Sequence, residues 1–71
     1  MFYVIEITTV SGTPAKAIWD KDSLEAAKMQ YHQTLASAMA NQNASSCLCE
    51  VIDGRGTVIC HEYWERANVA E

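Results

Sequence analysis

Basic charge is what this sequence has least of. Five Lys and Arg stand against nine Asp and Glu in 71 residues, a net charge of −4. A protein that binds nucleic acid unaided draws much of its affinity from neutralised phosphates and needs a basic patch to do so. Lys16, Lys21, Lys28, Arg55 and Arg66 are instead scattered along the chain. Nucleic acid and membrane are therefore not expected as partners. Glycine and proline are scarce too, at three and one, and no stretch reads as a linker or a low-complexity tract. Long apolar runs are missing: Glu6 interrupts the one that opens at Phe2, so no membrane span is expected. The opening segment has no charged leader of the kind an export signal carries. Cys47, Cys49 and Cys60 are an odd number, and without an export signal the expectation is reduced thiols in a cytoplasm.

What is present is a globular composition, with 49% hydrophobic residues. The length allows a single domain over 1–71, with a tail, 65–71, expected to fray. A domain this small buries only about 60% of the surface its unfolded chain exposes. Such folds usually need a disulfide, a metal or a partner subunit as a staple.

Residues 2–10, FYVIEITTV, are β-branched and aromatic and predict a strand. Ser11-Gly12 suits a two-residue turn. Residues 13–19 then predict a second strand, with Pro14 pointing to an edge position. A two-residue turn pairs Ile5 with Ile18 and Val4 with Trp19. Asp22 and Glu25 have capping-box spacing, so a helix is expected to start there and to run to about Gln42. Leu24, Ala27, Tyr31, Leu35 and Ala38 form its core stripe. Residues 45–52 and 57–64 predict two more strands around the turn Asp53-Gly54-Arg55-Gly56. The fold class expected is α+β: a ββαββ chain making a four-stranded, mainly antiparallel sheet with one helix on one face.

One helix covers one sheet face, yet the first strand is apolar on both: Tyr3, Ile5 and Ile7 point one way, Phe2, Val4 and Val10 the other. The helix also carries no Lys, Arg, Asp or Glu from Met29 onward, and none follows before Glu50. A solvated helix face normally carries charge. A homo-oligomer is therefore expected, with Met29, Gln33, Ala36, Ser37 and Ala40 as the interface set on the helix.

Few residues offer chemistry. Cys47 and Cys49 share a strand face, but adjacent Cys60 and His61 point to opposite faces and the spacing is not that of a zinc knuckle. No metal and no cofactor are expected, and the cysteines read as small buried hydrophobes. Asp53-Gly54-Arg55-Gly56 is too short for a phosphate loop. Glu50, Glu62 and Glu65 read as solvated or interface charges. The aromatic residues are more informative. Trp19 ends the second strand, and Tyr63-Trp64 ends the last one just before Arg66. Rings beside a guanidinium suit a base and a phosphate, and they also suit a protein interface. His32, at mid-helix, can donate, accept and stack.

The run Tyr31-His32-Gln33-Thr34-Leu35-Ala36-Ser37-Ala38-Met39-Ala40-Asn41, the segment Ser46-Cys47-Leu48-Cys49 and Glu62-Tyr63-Trp64-Glu65 together resemble a family of short proteins from Gram-positive gut bacteria and their phages or prophages. The likeness spans nearly the whole chain and carries no established catalytic residue. It implies a phage context, and phages encode small oligomeric proteins that sequester host immune nucleotide signals without cleaving them. The expected function is thus a non-enzymatic homo-oligomer that holds a small nucleotide-like ligand at or near a subunit interface, acting in the host cytoplasm. The expected contacts are Trp19, His32, Tyr63, Trp64 and Arg66. The rival is a protein-interaction module, such as an inhibitor of a host enzyme. A small hydrolase built on Glu or His residues is the third reading.

Overall fold

The β-branched run FYVIEITTV forms strand β1 (Phe2–Val10), and TPAKAIWDK returns beside it as β2 (Thr13–Lys21). A computed structural model of the chain describes residues 1–66. The turn between the two strands is Ser11-Gly12, with φ of 51° and 82°. Positive φ at both central residues matches the right-handed twist of the flanking strands. The register pairs Ile5 with Ile18 and Val4 with Trp19, as the two-residue turn requires. β2 runs two residues past Trp19, because Asp20 and Lys21 stay paired with Tyr3 and Phe2.

Helix α1 (Leu24–Ala40) follows. Its cap corrects the expectation for Asp22: the N-cap is Ser23, whose hydroxyl oxygen accepts from the Ala26 backbone N–H at 3.1 Å. Glu25 therefore sits one position too early to close a capping box, though it still faces the positive end of the helix dipole. The helix stops at Ala40, short of Gln42, with extended Asn41 as its C-cap. Ala27, Tyr31, Thr34 and Ala38 are buried, while Leu24 and Leu35 pack at the margin of the core.

Strand β3 (Ala44–Asp53) and strand β4 (Val58–Glu65) complete one sheet of order β2-β1-β3-β4, antiparallel at every pairing. This is the α+β, ββαββ architecture, and Pro14 lies on an edge strand. The Asp53 carboxylate organises the second turn by accepting from the Arg55 and Thr57 backbone N–H groups at 2.8 and 3.0 Å. A register shift lets Val51 pair with Cys60 and Ile52 with Val58, a bulge at Ile59. Glu65 closes β4, and the Arg66 N–H donates to Ser45 O at 2.8 Å. The rest of the tail expected to fray, 67–71, lies outside the described residues.

Helix α1 packs over β3 and β1 and touches β2 less. Beneath it lies a small core: Val4, Ala27, Tyr31, Cys49 and Val51, flanked by Phe2, Trp19, Leu24, Leu35 and Cys60. The opposite sheet face has no covering element among the described residues. Its centre is Tyr3, Ile5 and Ile7 of β1 with Leu48 and Ile52 of β3, all half-buried by their neighbours. Its flanks are more open: Ile18 is 65% exposed, and Val58 and Tyr63 are 51% each. Among the described residues, no helix is long and apolar enough to cross a membrane.

Candidate functional site

Strand alternation decides which side chains meet α1. On β1 these are Phe2, Val4, Glu6 and Thr8, and on β2 they are Ala15, Ala17, Trp19 and Lys21, the cross-strand partners of Thr8, Glu6, Val4 and Phe2. The helix sits toward β3, so it leaves a gap above β2. That gap is a cleft of about 240 Å³ lined by Glu6, Trp19, Gln30, Gln33, Thr34 and Ser37. Trp19 gives an apolar wall that continues into the core. The helix supplies amides and hydroxyls, because Gln30, Gln33 and Ser37 recur at helical spacing along one flank.

Several of these groups are partly committed. The Thr8 hydroxyl donates to Glu6 Oε2 at 2.6 Å, and Gln30 Nε2 donates to Thr34 Oγ1 at 2.9 Å. The other oxygen of Glu6, the Gln30 carbonyl, and the exposed Gln33 and Ser37 stay available to a ligand. No Lys or Arg lines the cleft. A ring with hydrogen-bonding edges can stack on Trp19 and pair with these groups, whereas a phosphate would meet the Glu6 carboxylate.

Of the five expected ligand contacts, only Trp19 lines this cleft. His32 is exposed and lies edge-on to Tyr31, with ring centroids 5.1 Å apart. It is two residues from Gln30, roughly 200° around the helix at ~100° per residue, and so on the other flank. Trp64 pairs with Cys47 on the helix side of β4. Three strand spacings, roughly 14 Å at ~4.8 Å each, separate β4 from β2. Tyr63 lies on the uncovered sheet face opposite Leu48, and its hydroxyl donates to Glu65 at 3.2 Å.

Arg66 is already occupied. Its guanidinium stands over the Trp64 ring, 4.9 Å from the centroid, and donates to Met39 O, to Asn41 O at 2.8 Å and to Ala44 O at 3.2 Å. These carbonyls belong to the end of α1, its C-cap and the first residue of β3. The last helical turn has no basic residue of its own, so Arg66 supplies from β4 the cation and donors that a helix C-terminus attracts. Trp64 Nε1 is buried with no hydrogen-bond partner among the described residues.

All five expected interface residues on α1 are exposed. Met29, Ala36 and Ala40 face away from the sheet, while Gln33 and Ser37 line the cleft. Cys47 and Cys49 are buried beneath the helix, and burial pushes the Cys49 thiol up to about 12. Cys60 faces the helix and His61 the uncovered side, where His61 Nδ1 meets Glu50 Oε2 at 2.9 Å. Among the described residues, no three His, Cys, Asp or Glu side chains could hold a metal ion.

Glu6, Gln30 and Thr34 escaped the reading of the sequence. The signal for Glu6 was a carboxylate in the register of Phe2, Val4 and Thr8, where an apolar residue is the usual choice. The signal for the rest was a polar Gln30-Gln33-Ser37 flank beside the core stripe. Comparison with known families, curated proteins and solved structures gives no match.

Proposed function

We propose that this chain is a non-enzymatic, homo-oligomeric binding protein that holds a small nucleotide-like ligand by its base in the cleft between α1 and β2. The observation that carries this reading is the cleft itself: the Trp19 ring beside a set of amide, hydroxyl and carboxylate groups with no cation among them. Base stacking on an aromatic ring contributes about 1–3 kcal/mol by alanine substitution. The polar groups then select by the edge of the base. With about 240 Å³ available, against the roughly 300–1,000 Å³ of ligand pockets in general, the cleft takes the base and leaves sugar and phosphate outside. We extend the proposal to a sequestering role toward an immune nucleotide signal in the host cytoplasm, the role expected from the sequence.

The test is a thermal-shift and calorimetric screen of cyclic and ADP-ribose-type nucleotides, with the parent nucleosides alongside. At least one compound is expected to stabilise the protein, and Trp19→Ala is expected to weaken its binding about tenfold or more. Intact ligand should be recovered after the complex is heated. Absence of any stabilisation, or binding indifferent to Trp19→Ala, overturns the reading.

A further inference from the structure

The sheet face opposite α1 is a four-by-four grid of side chains, ordered by the strand register. Its two inner columns, from β1 and β3, are mostly apolar. Its two outer columns carry most of the formal charge: Lys16 and Asp20 on β2 and Glu65 on β4, where His61 adds a polar ring. An apolar centre with a charged rim is the anatomy of a protein interface. At ~4.8 Å between strands and ~6.8 Å between rungs, the grid covers roughly 500 Å² as a flat footprint. Side-chain relief brings its accessible area toward the roughly 800 Å² per partner of a standard complex.

We propose that a second copy of this chain occupies this face, packed sheet to sheet about a two-fold axis that runs along the strands. The proposal rests on the homo-oligomeric part of the reading above and not on its ligand. Charge complementarity identifies the occupant. Such an axis sets β2 of one copy over β4 of the other and β1 over β3. Lys16 then lies one rung from Glu65 of the second copy, and Asp20 one rung from His61, both displaced in the same sense. A crossing angle between the sheets, which aligned sheet packing imposes, shifts both pairs together. Glu50, the carboxylate among the inner columns, already has a hydrogen-bond partner in His61, whose Nδ1 lies 2.9 Å from Glu50 Oε2. A lipid surface would leave Lys16, Asp20 and Glu65 unmatched, and a partner of one charge sign would match only part of the rim.

The edges point the same way. β2 carries Pro14 and Lys16, and β4 carries the bulge at Ile59. These features discourage edge-to-edge pairing, which leaves association through faces. The product is a four-layer sandwich, helix-sheet-sheet-helix, with both clefts on its outer sides.

Sedimentation velocity over a concentration series tests this, with circular dichroism on every sample to confirm folding. The wild-type chain is expected to be dimeric at micromolar concentration. Ile18→Asp, at an exposed position, is expected to weaken the dimer about a hundredfold by placing two charges in it. Lys16→Glu and Glu65→Lys are each expected to weaken it several-fold, and the double variant to restore it, because the two positions meet only between copies. Met29→Glu and Ala36→Glu on α1 should leave it intact. A monomeric wild-type chain overturns the proposal, as does a dimer split by Met29→Glu but indifferent to Ile18→Asp. If Ile18→Asp fails to fold, the charge-swap series decides: no recovery in the double variant overturns the proposal. Trp19→Ala should dimerise normally, so failure of the ligand reading leaves this result unaffected.

Discussion

Arg66 donates to three carbonyls and stacks on Trp64, which makes it a tie between the end of β4 and the end of α1. Replacing it with Met keeps much of the stem and removes the donors. Hydrogen bonds from a charged group contribute more than neutral ones, and Arg66→Met is expected to cost about 1–3 kcal/mol in urea unfolding. Arg66→Lys should recover only part, since an ammonium lacks the planar fork. Neither variant should change ligand affinity, which separates this role from the phosphate contact expected from the sequence. Cys49 is the second informative residue. Its thiol is pushed up to about 12, first by burial and then by Cys47 and Glu6 nearby. A thiol protonated more firmly in the folded state than in the unfolded one favours the fold at low and neutral pH. That stability is lost as pH rises from the ordinary value of 9.0 toward about 12. Urea midpoints of the wild-type chain should therefore fall over this window more steeply than those of Cys49→Ala. Alkylation at pH 8, read by mass spectrometry, should reach half-buried Cys60 before Cys47 or Cys49.

At the scale of elements, the start of α1 separates two neighbouring candidates. Ser23 makes the capping bond to Ala26 N–H, and Asp22 stands one residue outside. Ser23→Ala is expected to cost about 1 kcal/mol, and Asp22→Ala only a few tenths from its charge near the helix dipole. Equal effects in thermal unfolding would contradict the observed cap. This element also shows how much a pattern can tell. The spacing of Leu24, Ala27, Tyr31, Leu35 and Ala38 located the helix and its buried side. The choice between Asp22 and Ser23 was not legible, because both are good capping residues and one residue of phase separates them. The hairpins were more legible: Ser11-Gly12 and Asp53-Gly54-Arg55-Gly56 each left few ways to reverse the chain, and alternation then assigned the faces.

At the scale of the whole molecule, the core is small. Its fully buried side chains are two valines and two cysteines, besides alanines. A fold with so little buried volume is marginal alone and gains stability by mass action when copies associate. The melting temperature is expected to rise with protein concentration in the wild-type chain and to stay constant in Ile18→Asp, as differential scanning fluorimetry would read directly. The candidate site was legible only in fragments. Trp19 was marked as a ligand contact, but His32, Tyr63, Trp64 and Arg66 disperse to the outer flank of the helix, the uncovered face and the far edge of the sheet. The nearness of Tyr63, Trp64 and Arg66 in sequence, and the shared chemistry of rings and a cation, carried no information about which face or edge each would occupy.

Local physics was sufficient for the rest. β-branched runs, two turns and one amphipathic stripe determine four strands, a helix, their order and the alternation of each strand, because these depend on residues a few positions apart. Two matters needed the tertiary structure. One is the offset of α1 toward β3, which opens the Trp19 cleft and brings Glu6 beside Gln30 and Thr34. The other is the strand order, which puts Trp19 and Trp64 on opposite edges and Arg66 beneath the helix terminus. Both arise from how elements distant in sequence settle on a common core. That depends on the volumes packed between them, which no single segment encodes.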